Sequence, residues 1–132
     1  MSGKKILIVD DDQDLVLGLS LRLKASGYHV TSASDGASAV EMARKEGPEL
    51  VILDLGLPAG DGFVVLQRIK EIAGLKMTPV IVLSGRDPTG NEDRVRDAGA
   101  TAFLQKPPDN RELLATIRHA LGEATGLSSI GL

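Results

Sequence analysis

Five short runs rich in aliphatic residues are separated by stretches in which apolar residues recur at helical spacing. The short runs occupy residues 6–9, 29–33, 50–53, 79–83 and 101–104. A run of this length favours a strand buried on both faces. Strands that alternate with helices over short connections are typical of a parallel sheet covered by helices on both sides. The sequence therefore predicts an α/β domain of five strands and five helices.

Candidate helix ends lie between these runs. Asp12 can cap the first helix, and Gly27 stands where a left-handed residue would close it. Asp35 and Asp61 are natural caps for the second and third helices. A weaker helix is predicted over residues 91–98. The last helix carries four apolar residues, Leu113, Leu114, Ile117 and Leu121.

The length and charge of the chain limit what it can do. Its 132 residues fit one domain, which we assign to residues 4–122, followed by a tail at 123–132. No apolar run approaches the roughly 20 residues needed to span a bilayer, so we expect no membrane partner. The net charge of −3, with scattered basic residues, argues against direct nucleic-acid binding. The absence of cysteine suits a reducing compartment, so we expect a cytoplasmic protein.

Polar side chains stand at the carboxyl ends of four predicted strands. Asp10 and Asp11 follow the first strand, Asp54 ends the third, Ser84 ends the fourth and Lys106 follows the fifth. Open parallel sheets bind ligands at this edge, where the strand order reverses. In the doubly wound order 2-1-3-4-5 the first and third strands are neighbours, so their three carboxylates would share one pocket.

The residue types at this edge predict metal-assisted phosphoryl transfer. Neighbouring carboxylates either force protonation of one group or recruit a cation, and hard oxygen ligands suit Mg²⁺ or Mn²⁺. The carboxylate of Asp54 can attack a phosphoryl group, while Lys106 neutralises charge on the transferring oxygens. The Ser84 hydroxyl can donate a hydrogen bond to a phosphoryl oxygen. Taken singly, these residues also suit turns, caps or solvated positions, so their joint arrangement carries the prediction.

Four segments of the sequence carry a family resemblance. They are VDDD at 9–12, LDLGLPAGDG at 53–62, LSG at 83–85 and QKPP at 105–108. Together they resemble the receiver domain of bacterial response regulators over about residues 4–122. The resemblance implies a flavodoxin-like, doubly wound (βα)5 fold with strand order 2-1-3-4-5. It also implies a phosphoacceptor domain of a two-component phosphorelay.

The resemblance assigns roles to the acidic residues. It implies that Asp10 and Asp11 bind the metal and that Asp54 is both a metal ligand and the phosphoacceptor. Gly56 is expected to add its backbone carbonyl to the metal ligands. The implied donor is a histidine kinase or a histidine phosphotransfer protein. Such a domain catalyses its own phosphorylation and dephosphorylation, so we do not expect an enzyme with ordinary turnover.

The resemblance also implies how the phosphoryl group would be sensed. Ser84 and Lys106 stand at the positions of the phosphate-sensing pair, and Phe103 stands at the position of the switch aromatic. The Lys106–Pro107 peptide bond is expected to be cis, an isomer found essentially only before proline. The implied signalling surface consists of the fourth helix, the fifth strand and the fifth helix. Because the chain has no room for a second folded module, its target would be a separate protein or an output domain outside it.

Other functions fit the sequence less well. A haloacid-dehalogenase-type phosphatase would carry its nucleophile on the first strand in a DxD pattern followed by threonine, which this chain lacks. A flavodoxin-like cofactor protein would need a hydroxyl-rich phosphate loop and aromatic residues, yet aromatics make up only 2% of the chain. A phosphorylation-independent interaction module with the same fold remains the alternative, and a phosphate-transfer sink is also left open.

Overall fold

Strands and helices alternate strictly along the chain in the computed structural model, which describes residues 3–57, 62–85 and 92–123. The elements are β1 (Lys5–Val9), α1 (Gln13–Ala25), β2 (His29–Ala33), α2 (Gly36–Glu46), β3 (Leu50–Asp54), α3 (Gly62–Glu71), β4 (Val80–Ser84), α4 (Glu92–Asp97), β5 (Ala102–Gln105) and α5 (Asn110–Ala120). The strands form one parallel sheet in the order β2-β1-β3-β4-β5. The predicted fold and strand order are confirmed.

The sheet separates two aliphatic clusters. Leu7 and Val9 of β1 belong to the cluster on the side of α2, α3 and α4, whereas Ile6 and Ile8 belong to the cluster beneath α1 and α5. This division follows from the strand geometry, because successive side chains point to opposite faces. All residues of β3 and β4 are buried. The polar groups at the ends of these strands therefore stand on a rigid, dry support.

Most of the predicted helix ends are confirmed. The Asp12 side chain accepts the Leu15 N–H at 3.1 Å, and Asp35 caps α2 in the same way. Gly27 has a φ of +95° just after α1, and Gly47 closes α2 with a φ of +57°. A left-handed backbone of this kind favours glycine.

A few predicted boundaries shift by one residue. β5 spans Ala102–Gln105 rather than 101–104, and α4 spans Glu92–Asp97 rather than 91–98. Leu121 lies just beyond α5, where it serves as the C-cap. The proposed cap Asp61 lies outside the described residues. Within the described ranges, no helix combines the length and the apolar character needed to cross a bilayer.

Gly62 brings the start of α3 into close contact with the backbone that follows Asp54. A Cβ atom at this position would lie 2.6 Å from the carbonyl oxygen and 2.7 Å from the Cα of Leu55. Only a residue without a side chain allows the two backbones to approach this closely. The first turn of α3 is thereby held against the segment that carries Asp54.

A polar cluster joins the end of α5 to the opposite end of the sheet from Asp54. The Tyr28 hydroxyl donates to a carboxylate oxygen of Glu123 at 2.6 Å, and the Lys4 ammonium lies 3.6 Å from the other oxygen. Lys4 also donates to the Leu121 carbonyl at 3.2 Å. The sequence predicts that Glu123 begins the tail, and residues 124–132 lie outside the described part of the chain.

We expect Tyr28 to titrate well above the ordinary range of tyrosine. Burial, followed by the hydrogen bond to Glu123, raises the pKa of Tyr28 to about 12. Between the unfolded value of about 10 and the folded value, the native state keeps a proton that the unfolded chain has lost. Stability should therefore fall as the pH rises through this window.

Tyrosinate absorbance measures this ionisation cleanly, because the chain has one tyrosine and no tryptophan. At a pH of about 11, roughly a tenth of the folded protein should carry tyrosinate, whereas the denatured chain should be almost fully ionised. Circular dichroism at the same pH would show that the sample is still folded. Nearly full ionisation in the folded state would contradict the prediction.

Candidate functional site

The predicted polar residues meet at one edge of the sheet. Asp10 follows β1, Asp54 ends the adjacent strand β3, Ser84 ends β4 and Lys106 follows β5. Asp10, Asp54 and Ser84 are only 2%, 6% and 1% exposed, whereas Asp11 is exposed. The edge therefore holds buried acidic groups with one accessible carboxylate beside them.

Lys106 forms ion pairs with both buried carboxylates. Its ammonium nitrogen lies 2.8 Å from Asp10 Oδ2 and 3.5 Å from Asp54 Oδ2. Burial of two like charges without a counter-ion would be costly, and the ammonium offsets this cost. The sequence assigned Lys106 to a phosphoryl oxygen, and in this structure its closer carboxylate partner is Asp10.

The protonation of the pair follows from its surroundings. Burial is the main cause that raises the pKa of Asp10, and the Asp54 charge acts in the same direction against the opposing effect of Lys106. Burial alone would lower the pKa of Lys106, but its ion pairs with Asp10 and Asp54 outweigh burial and raise it. Lys106 therefore stays positively charged at neutral pH.

Backbone N–H groups orient both buried carboxylates. Asp10 Oδ1 accepts the Asp12 N–H at 2.9 Å, and Asp54 Oδ1 accepts the Gly56 N–H at 2.9 Å. In each case the local hydrogen bond holds one oxygen, and the other oxygen is the one that pairs with Lys106. Gly56 is thus adjacent to Asp54, while the role of its carbonyl as a metal ligand stays a prediction.

Three carboxylates at this edge could hold a metal ion. Asp10, Asp11 and Asp54 each offer an oxygen, and these oxygens lie within 4.8 Å of one another. Hard divalent cations such as Mg²⁺ take carboxylate oxygens together with water. The exposed Asp11 leaves room for water on its side of the site. The donor set fits Mg²⁺ or Mn²⁺, as predicted from the residue types.

The proposed sensing residues lie beside this acidic group. The backbone N–H of Lys106 donates to the backbone carbonyl of Ser84 at 2.8 Å, so the ends of β4 and β5 are joined. Phe103 pairs with Val82, two residues before Ser84 in β4, and its ring packs against the α2–α3–α4 cluster. The Lys106–Pro107 bond is cis, which confirms that prediction. The switching roles of Ser84 and Phe103 remain predictions.

Sequence reasoning missed two contacts near the site. One is the close approach of Gly62 to Leu55. The other places the guanidinium carbon of Arg94 3.8 Å from the ring centroid of Phe63. Neither contact has a local sequence motif, since each joins separate elements. The one sequence signal for the second contact is the scarcity of aromatic residues, since Phe63 is one of only two phenylalanines in the chain.

Comparison with known sequences gives a consistent result. The family described as the response regulator receiver domain matches residues 6–118. The transcriptional regulatory protein KdpE of Mycobacterium tuberculosis is 37% identical over 125 residues, which cover 95% of this chain and 54% of that protein. The response regulator PleD of Caulobacter vibrioides is 35% identical over 86% of this chain and 25% of its own length. The chain thus spans about half the length of KdpE and about a quarter of the length of PleD.

Solved structures share the same architecture. A CheY-like response regulator receiver domain protein from Methanospirillum hungatei has a TM-score of 0.86 at 30% identity, covering 92% of this chain and 96% of its own. The receiver domain of a sensor histidine kinase from Pseudomonas aeruginosa, with magnesium coordinated in its active-site cleft, has a TM-score of 0.83 at 27% identity, covering 92% and 99%. Fold, site and sequence agree: the chain belongs to the response regulator receiver domain family.

Proposed function

We propose that this receiver domain is phosphorylated on Asp54 in a reaction that requires Mg²⁺ or Mn²⁺. The observation that carries the proposal is the bridging of Asp10 and Asp54 by Lys106 beside a third carboxylate, Asp11. A group of acids with one fixed ammonium suits a doubly negative phosphoryl group once a divalent cation is also bound.

The phosphoryl transfer can be written with this chain's own groups. An oxygen of Asp54 attacks the phosphorus of a phosphohistidine, so that a P–O bond forms while the P–N bond breaks. The imidazole nitrogen of the donor keeps the electron pair and takes up a proton. Lys106, positively charged and within reach of Asp54 Oδ2, neutralises a transferring oxygen. Ser84 then donates its hydroxyl hydrogen to the bound phosphoryl group.

The metal would be held by Asp10, Asp11, Asp54 and the carbonyl of Gly56. When bound, such an ion neutralises charge on the phosphoryl oxygens and helps to align the transfer. The phosphoryl group taken from the donor would stay on Asp54 of the chain until it is lost by hydrolysis. We therefore regard it as a phosphorylation switch that catalyses its own modification and its loss, rather than as a turnover enzyme.

The switch would act on other proteins. We propose that a histidine kinase or a histidine phosphotransfer protein supplies the phosphoryl group. The output would pass through the surface of α4, β5 and α5, with Ser84 and Phe103 responding to the new charge. Its recipient would be a separate protein or an output domain outside these residues. The net charge of −3 supports an output without direct nucleic-acid contact, and the cysteine-free composition supports a cytoplasmic location.

Intact-mass measurement tests the phosphorylation directly. The protein is incubated with acetyl phosphate or phosphoramidate and Mg²⁺, with and without a chelator. We expect a gain of one phosphoryl group that is lost with the chelator and lost in Asp54→Asn. Asp97→Asn, which makes the same chemical change at an exposed position on α4, should be modified like the wild type.

Two results would overturn the proposal. One is an adduct that persists in Asp54→Asn, which would move the acceptor elsewhere. The other is the absence of any adduct in the wild type together with the absence of a heat of Mg²⁺ binding. That second result would favour a phosphorylation-independent interaction module with the same fold.

A further inference from the structure

A cation–π contact joins α4 to the beginning of α3. The Arg94 guanidinium carbon lies 3.8 Å from the centroid of the Phe63 ring. A planar guanidinium over an aromatic face is attracted electrostatically and also packs well. Phe63 itself is partly buried against the cluster on this side of the sheet. The ring therefore offers Arg94 a fixed surface.

α4 buries little of its described surface. It is only six residues long, and among its described side chains Val95 alone is buried. A short helix with one core residue has little intrinsic stability, because helices of this length depend on tertiary contacts. Loss of a single surface contact should therefore measurably change the position of α4 or the frequency of its local unfolding.

Phe63 is linked closely to the segment that carries the acceptor. It follows Gly62, whose backbone lies directly against Leu55, and Leu55 follows Asp54. Because the two backbones are in contact, a movement of the acceptor segment would displace the first turn of α3. A contact between Arg94 and Phe63 consequently ties α4 to the acceptor side of the sheet, independently of Ser84 and Phe103.

We propose that Arg94 and Phe63 form a clasp that holds α4 against α3 in the unmodified protein. The clasp would oppose movement of the α4–β5–α5 surface and would be weakened when the acceptor segment rearranges. This inference rests on the proposed function, because it assigns a regulatory contact to the same switch. In physical terms, α4 has two positions, and both the clasp and the phosphoryl site would shift the equilibrium between them.

Reciprocity gives the clasp a second consequence. A contact that favours the unmodified state must weaken binding of any ligand that favours the modified state, by the same factor. Beryllofluoride, a noncovalent phosphoryl mimic, can measure this in the presence of Mg²⁺. Loss of the clasp should tighten its binding by roughly two- to five-fold, the range expected for an exposed cation–π pair.

Hydrogen exchange in a double-mutant cycle tests the clasp itself. The variants are Arg94→Gln, Phe63→Leu and their combination, with Arg94→Lys as a change that keeps the charge but not the planar group. The Ala98 and Ala100 amides report on α4, because they donate to the Arg94 and Val95 carbonyls. Each single variant should exchange roughly two- to five-fold faster at these amides, and the double variant should be little faster than either.

Arg68→Gln, on an exposed position of α3, controls for loss of a positive charge and should change neither measurement. Exchange at α4 that equals this control, or effects of the two single variants that simply add, would overturn the clasp. So would unchanged beryllofluoride affinity in Arg94→Gln. If Phe63→Leu lowers global stability, the Arg94→Gln result decides alone. Failure of the wild type to bind beryllofluoride would instead count against the proposed function. Hydrogen exchange at the α4 amides would still test the clasp, because it does not depend on beryllofluoride binding.

Discussion

Replacing Gly62 with alanine is expected to lower the free energy of unfolding by roughly 3 kcal/mol, a large share of the stability of a small domain. The added methyl carbon would lie 2.6 Å from the Leu55 carbonyl oxygen and 2.7 Å from its Cα. Both atoms belong to the backbone, so no side-chain rotation can relieve the clash. The start of α3 or the segment after Asp54 must move.

Urea unfolding of Gly62→Ala and Gly18→Ala measures this effect against a matched control. A Cβ at Gly18, inside the exposed face of α1, would meet no atom within 4 Å. Alanine there should raise stability by roughly 0.5–1 kcal/mol, because glycine is a poor residue inside a helix. The same chemical change should therefore have opposite signs at the two positions. A loss below about 1 kcal/mol at Gly62 would mean that the close approach is easily relieved.

Replacing Lys106 with methionine should strengthen Mg²⁺ binding by about tenfold or more, which is about 1.4 kcal/mol. The ammonium lies 2.8 Å from Asp10 Oδ2, and Asp10 is one of the three carboxylates that could hold the metal. We therefore expect the ammonium and the metal to compete for Asp10. A partly buried cation beside the site also repels the incoming charge, and methionine removes both effects while keeping most of the side-chain volume.

Isothermal titration with Mg²⁺ at neutral pH gives the affinity directly. Lys70→Met is the control, because Lys70 is partly buried on α3 and donates to the carbonyls of Thr78 and Lys76 away from the acidic edge. It removes a similar charge from a similar environment and should leave the Mg²⁺ affinity within about twofold of the wild type. Weaker binding in Lys106→Met would show that Lys106 organises the acids for the metal instead of competing with it.

The fold and the acidic edge could be predicted because each depends on a local pattern. Strand length and helical spacing gave the alternation of elements, and connections in such folds are short. Once the strands are parallel, their carboxyl ends must lie together, so Asp10, Asp54, Ser84 and Lys106 had to meet. The boundary errors at α4 and β5 are of one residue, where capping signals are weak.

The contacts within and around the edge could not be predicted in the same way. Whether Lys106 lies nearer Asp10 or Asp54 depends on differences of less than 1 Å between the two carboxylates. The Arg94–Phe63 contact depends on how α3 and α4 pack, and the Gly62 contact depends on the path of the chain after β3. These are tertiary relations, and periodicity within one element carries no information about them.

The burial of Asp54 would restrict the shape of a donor in the proposed phosphorylation. Asp54 ends β3, the middle strand of the sheet, and every residue of this strand is buried. Asp54 itself is only 6% exposed. Within the part of the chain that the structure describes, β1 and β4 flank this strand, so a donor would approach Asp54 from beyond the strand end. Small free donors can enter from this direction, but a protein donor must present its phosphohistidine on a convex, projecting surface. A phosphohistidine recessed in a cleft would fit this approach poorly, so the proposed phosphorylation would depend on the shape of the donor.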